Sequence, residues 1–116
     1  MSYLQLSKSF MAEARRAIDE YKKTKDETAL RQACEKGFGA FAQVLMFYKG
    51  RELHHREFRE AIEEIYLKTK NYDITLAHRL AEALHSAFYN GALTLSEVED
   101  SLNKIELGIQ AITELK

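Results

Sequence analysis

No proline interrupts the 116 residues of this chain, and glycine occurs only five times. Proline removes a backbone donor and clashes with the preceding turn, so a proline-free chain can sustain long helices. Strand signals are missing as well. No β-branched run alternates with polar residues, and no Asn-Gly or Asp-Gly pair sits between two such runs. Apolar residues instead recur at three- and four-residue steps from end to end, the spacing of one helix face. The expected fold is all-α: a single-domain antiparallel bundle of about five helices spanning residues 1–116.

The first helix is expected from about Ser2 to Thr24, with Leu6, Phe10, Ala14, Ala17, Ile18 and Tyr21 inward. Lys22, Lys23 and Lys25 at its end suit the negative pole of the helix dipole. With Arg15 and Arg16 they form either a solvated basic end or a phosphate contact. The second helix runs from Asp26, an N-cap residue, to Tyr48. Gly37 and Gly39 are unusual within it, since each costs roughly 1 kcal/mol against alanine inside a helix. With Ala33 and Ala40 they make a small-residue patch. That patch calls for close packing by another helix or a partner subunit, unless the helix breaks near Gly37.

Gly50 is the stop signal for the second helix, and the third is expected from about His55 to Lys70. Asp73 is expected to cap the fourth, and Asn90-Gly91 to end it. Thr94 and Glu97 have capping-box spacing and open the fifth, whose Leu95, Val98, Leu102, Ile105, Ile109 and Ile112 form a heptad-like seam. Short connections predict antiparallel neighbours.

Charge and composition exclude several function classes. Seventeen basic and 18 acidic residues leave a net charge of −1. That argues against holding nucleic acid by bulk electrostatics but leaves room for a local basic patch. No apolar run approaches the roughly 18 residues of a membrane helix, so no membrane partner is expected. The first residues lack the pattern of a secretory leader, and the lone Cys34 has no disulfide partner within the chain. A reducing, cytoplasmic setting is the expectation, with Cys34 a core residue.

Chemistry-bearing residues concentrate in DITLAHRLAEALHSAFYNG, residues 73–91, which makes about five helical turns. At about 100° per residue, His78, Glu82, His85 and Tyr89 fall in one narrow stripe beside the apolar arc, with Arg79 about 120° around from His85. A guanidinium or a protonated imidazole can stabilise a phosphodiester transition state, and a neutral imidazole can take a proton from an attacking hydroxyl. A metal-independent ribonuclease needs those parts when the RNA 2′-hydroxyl is the nucleophile. By bare spacing alone, an exposed arginine and a boundary histidine are the better reading.

A metal reading competes with this. Glu82-x-x-His85 and Glu52-x-x-His55 match the Glu-x-x-His element of dimetal carboxylate bundles. The other helices supply no glutamate on an otherwise apolar stripe, so neither a metal nor another cofactor is expected. His54 and His55 read as a solvent-exposed pair.

The segment AHRLAEALHSAFYNGALTLSEVEDSL resembles the C-terminal half of HEPN domains, and among them the archaeal PaREP-type branch. The likeness rests on Leu84-His85 and Phe88-Tyr89, a short turn, and a last helix opening with Glu97-Val98. Upstream, ALRQACEKGFGAFAQVL is similar to the family's small-residue-rich second helix, and the likeness spans about residues 27–115.

The resemblance implies a helical bundle that forms a homodimer. In many members it also implies a metal-independent ribonuclease whose R-x4–6-H motifs meet in one cleft between protomers. Arg79 and His85 match as R-x5-H, although Leu80 follows the arginine where many members carry a polar residue. Arg79 and His85 are thus the catalytic candidates. His78, Glu82 and Tyr89 would hold substrate or orient His85, and Gly37, Gly39 and Ala40 would provide the close dimer contact. The alternative is a non-catalytic dimeric module that binds RNA, a nucleotide or a protein such as a nucleotidyltransferase-type antitoxin.

Overall fold

Polar side chains mark where each helix begins. In the computed structural model, which describes Met1–Lys116, five helices follow one another: α1 (Tyr3–Thr24), α2 (Glu27–Lys49), α3 (His55–Thr69), α4 (Tyr72–Asn90) and α5 (Leu95–Thr113). Ser2 and Gln5 exchange reciprocal hydrogen bonds at the head of α1, and Thr94 and Glu97 do so at the head of α5. Asp26 accepts from the Thr28 N–H at the head of α2.

At α4 the cap is Asn71 and not Asp73. Asn71 Oδ1 accepts the Asp73 N–H at 3.0 Å, so the helix opens at Tyr72. Asp73 lies in the first turn instead, where its charge suits the positive end of the dipole. Gly50 and Gly91 close α2 and α4 in the left-handed region, at φ 76° and 64°.

Contacts between helices fix their directions. Ser7 Oγ donates to the Ala40 carbonyl at 2.7 Å and Lys36 pairs with Glu13 at 3.2 Å, so α1 and α2 run in opposite senses. Arg15–Glu106 at 2.6 Å and Lys22–Glu99 at 3.0 Å set α1 antiparallel to α5. Two of the five basic residues clustered on α1, Arg15 and Lys22, are therefore occupied in tying two helices together. Phe38 against His85 and Phe41 against His78 set α2 antiparallel to α4. These four helices enclose a core in which Phe41, Leu45, Leu84, Leu102, Ile105 and Ile112 are essentially inaccessible.

The small-residue patch of α2 is filled from within the chain. The helix is unbroken at Gly37. A Cβ there would fall 2.6 Å from Leu102 Cδ2 and 2.9 Å from Leu84 Cδ1, and a Cβ on Gly39 would fall 3.1 Å from the Phe10 ring. Ala40 is fully buried. The glycines thus admit α1, α4 and α5 of the same chain, and Gly37, Gly39 and Ala40 are not a face open to a second copy.

The third helix packs on α2 and α4 alone and adds Phe58, Ala61, Ile62 and Ile65 to the same core. It also departs from the alternation of directions, because it runs in the same sense as α2. Phe58, near its start, meets Phe38 with ring centroids 6.1 Å apart, and Lys68, near its end, donates to the Tyr48 hydroxyl at 3.4 Å. The cause is the connection, residues 50–54, which leads back along α2 with Leu53 buried in the core. Helix α3 is consequently antiparallel to α4 and places His55 beside the polar stripe of α4. No helix is long and apolar enough to cross a membrane.

Candidate functional site

The polar stripe of α4 lies where α3 rests on α2 and α4. Glu82 is its centre. Both carboxylate oxygens approach His55 Nε2, at 2.8 and 2.9 Å. A carboxylate only accepts, so Nε2 of the neutral ring carries the proton and Nδ1 keeps a lone pair. No protein atom hydrogen-bonds that Nδ1, and the His55 side chain is 51% exposed. The pair is therefore an oriented imidazole with its basic nitrogen free.

His78, one turn before Glu82, is more enclosed. Its Nε2 stands 3.4 Å from Glu82 Oε2, close enough for charge attraction but without hydrogen-bond geometry. Burial lowers its pKa below the usual histidine value, against the opposing pull of Glu82. Arg59 adds positive charge that pushes in the same direction as burial.

His85 occupies the other side of His55. Its ring stacks on Phe38 with centroids 4.3 Å apart and planes 27° from parallel. His55 and Tyr89 both meet it edge-on, at 5.0 and 5.4 Å. Its Nδ1 is buried and faces Glu35 Oε2 at 3.9 Å, and neither atom has a hydrogen-bond partner. The side chain keeps 25% exposure and packs on Phe38 of α2, so His85 is walled by aromatic rings but open on one side. Tyr89 is 68% exposed.

Arg79 is apart from His85. Six residues along a helix advance about 9 Å and turn the side chain to a different face. Its Nη1 donates to the Tyr72 hydroxyl at 2.8 Å, with the guanidinium lying over the Tyr72 ring. There it lines an open groove between α3 and α4 of about 630 Å³, together with Arg59, Tyr72, Thr75, His78 and Glu82. An adjoining cavity continues past Arg59 to Arg56 and His55. Within the chain Arg79 and His85 therefore flank Glu82 from two sides without meeting.

Of the five residues singled out in the sequence, His78, Arg79 and Glu82 line one groove, whereas His85 and Tyr89 lie beyond it, on the far side of His55. His55 was missed as a member of the site, and so were Phe38, Glu35 and Arg59. The only local signal for His55 was its place in Glu52-x-x-His55, which pointed to a metal. The structure pairs His55 with Glu82 and leaves Glu52 exposed. No group of three or more His, Cys, Asp or Glu side chains converges as metal ligands.

Comparison with known proteins adds one relationship. The model of the archaeal PaREP1/PaREP8 family matches residues 3–109. No curated protein and no solved structure gives a match.

Proposed function

The chain belongs to the archaeal PaREP1/PaREP8 family, and on that premise we propose that it is a HEPN-like, metal-independent ribonuclease that works as a homodimer. The observation that carries this reading is the imidazole pair His55 and His85, rings 5.0 Å apart, with Glu82 anchored on the first.

The chemistry is a transesterification. One imidazole takes the proton of a 2′-hydroxyl as its oxygen bonds to phosphorus. The other gives a proton to the departing 5′-oxygen as the P–O5′ bond breaks. The products are a 2′,3′-cyclic phosphate and a 5′-hydroxyl, with no net proton consumed. His85 is one acid–base group, and His55 is its partner. Arg79, around the helix from its own His85, would meet the scissile phosphate at the partner's cluster and stabilise its charge. His78, Glu82 and Tyr89 line the approach.

The homodimer is tested by mixing inactive variants. Arg79→Ala and His85→Ala, each inactive alone, should recover part of the wild-type rate when mixed, because a mixed dimer retains one complete cleft. A monomeric solution mass, or no recovery on mixing, would contradict the shared cleft.

One observation favours a second reading. Arg79 is already engaged by Tyr72 within its own groove, which suits a non-catalytic dimeric module binding RNA, a nucleotide or a nucleotidyltransferase-type protein partner. A ligand-induced rise in melting temperature without RNA cleavage would select it.

A further inference from the structure

The groove between α3 and α4 holds features that phosphodiester cleavage at the histidine cluster does not use. Two buried polar atoms on α4, Thr75 Oγ1 and His78 Nε2, lack a hydrogen-bond partner, and both residues line it. Buried polar groups are seldom left unpaired without a reason. Of the three guanidiniums along the groove and its extension, those of Arg56 and Arg59 make no ion pair or hydrogen bond within the chain, whereas the nearby Glu82 is engaged by His55. At the far end stands Tyr72, 51% exposed, its hydroxyl held by Arg79. The volume, about 630 Å³, lies in the range of small-ligand sites.

We propose that this groove is a nucleotide subsite, holding one nucleoside monophosphate unit of RNA with its phosphate on Arg59 and its base on Tyr72. The inference deepens the ribonuclease reading and rests on it for taking the unit to be part of an RNA chain. Two observations give the unit its direction. Arg56 and Arg59, the guanidiniums without a partner, lie at the His55 end, where Glu82 is engaged by His55, while Arg79 at the other end is held by the Tyr72 hydroxyl; and Glu63, one turn further along α3 than Arg59, places negative charge where a phosphate is unwelcome. The phosphate therefore takes the Arg59 end, next to the histidine cluster, and the base takes the Tyr72 end. Aromatic stacking accepts any base. Thr75 Oγ1 and His78 Nε2 sit between the two ends, where a ribose or a base edge would satisfy them.

The test is calorimetric titration of the full chain with each of the four nucleoside 5′-monophosphates, with inorganic phosphate and with the uncharged nucleosides. Monophosphates should bind about tenfold or more tightly than either phosphate or nucleoside alone. Tyr72→Ala should weaken the monophosphate about tenfold and leave phosphate binding unchanged, Tyr72→Phe should retain most of the affinity, and Arg59→Ala should weaken both ligands. Absence of monophosphate binding, equal affinity for monophosphate and phosphate, or indifference to both Tyr72→Ala and Arg59→Ala would overturn the subsite. Binding without RNA cleavage would keep the nucleotide site and remove the ribonuclease. Cleavage without binding would remove the subsite alone.

Discussion

Glu82 of α4 grips His55 of α3 through both carboxylate oxygens, at 2.8 and 2.9 Å, across 27 residues of sequence. The contact joins α3, which touches only α2 and α4, to the helix carrying most of the polar stripe. It also fixes which His55 nitrogen is free to act as a base. The pair is partly solvated, and ion pairs in that setting contribute little to stability, about 1 kcal/mol or less. Its value is orientation of the ring.

That separation of roles gives the first prediction. Glu82→Gln keeps the shape and removes the charge that holds the His55 ring. RNA cleavage should fall by about 10²-fold, the lower end of what a positioned acid–base group contributes. The unfolding free energy should change by less than about 1 kcal/mol. Parallel rate and urea-unfolding measurements check both. An equal loss of stability and activity would show that Glu82 serves only to hold α3 in place.

The second prediction concerns pH. Burial holds His78 below the ordinary histidine pKa of 6.5. As pH falls through that value the unfolded chain takes up a proton that the folded chain resists, so the unfolded state gains. Stability from this residue is therefore complete above about pH 7 and declines as the pH drops below about 6.5, until the folded ring also protonates. Urea midpoints at a series of pH values should show the decline, and His78→Gln should flatten it.

Some of this was legible in the sequence and some was not, for reasons of physical range. Ser2, Asp26, Gly50, Gly91 and the Thr94–Glu97 box marked helix ends because capping is settled within a few residues. The stripe His78, Glu82, His85 and Tyr89 followed from helical pitch alone, and so did the separation of Arg79 from His85. Asn71 displaced Asp73 as the cap because each side chain can accept the N–H two residues further on, so the local sequence offers two starting points for the helix and the chain uses the earlier one. His55 was out of reach. Its partnership depends on residues 50–54 doubling back along α2, and a short loop alone predicts the opposite direction. Gly37 and Gly39 signalled close packing correctly, but nothing local could say that the neighbours were Leu84, Leu102 and Phe10 of the same chain.

Close helix packing gives the third prediction. A Cβ on Gly108 would collide with the Cβ of Ala77, an atom fixed to the α4 backbone and unable to rotate away. Alanine is favoured over glycine in a helix by roughly 1 kcal/mol. The collision should outweigh that gain, so Gly108→Ala should destabilise by about 1–3 kcal/mol. Gly37→Ala meets only the terminal methyl groups of two leucines, which can turn, and should cost less. Thermal unfolding of the two variants gives the order.

The fourth prediction is chemical. Burial pushes the Cys34 thiol up to about 11. Little thiolate exists at pH 8 and the side chain is enclosed, so the folded protein should react with iodoacetamide at least about 10²-fold more slowly than the urea-unfolded chain. Comparable rates would mean that α2 opens readily around Cys34.

The central claim is that the imidazoles beside Glu82 cleave RNA without a metal. Incubation of mixed-sequence RNA with the protein in excess chelator tests it most directly, with His85→Ala as the comparison. Cleavage by the wild type leaving 2′,3′-cyclic phosphate ends, and a loss of about 10²-fold or more in the variant, is the predicted result. Intact RNA in the wild-type reaction, or equal cleavage by the two proteins, would contradict it.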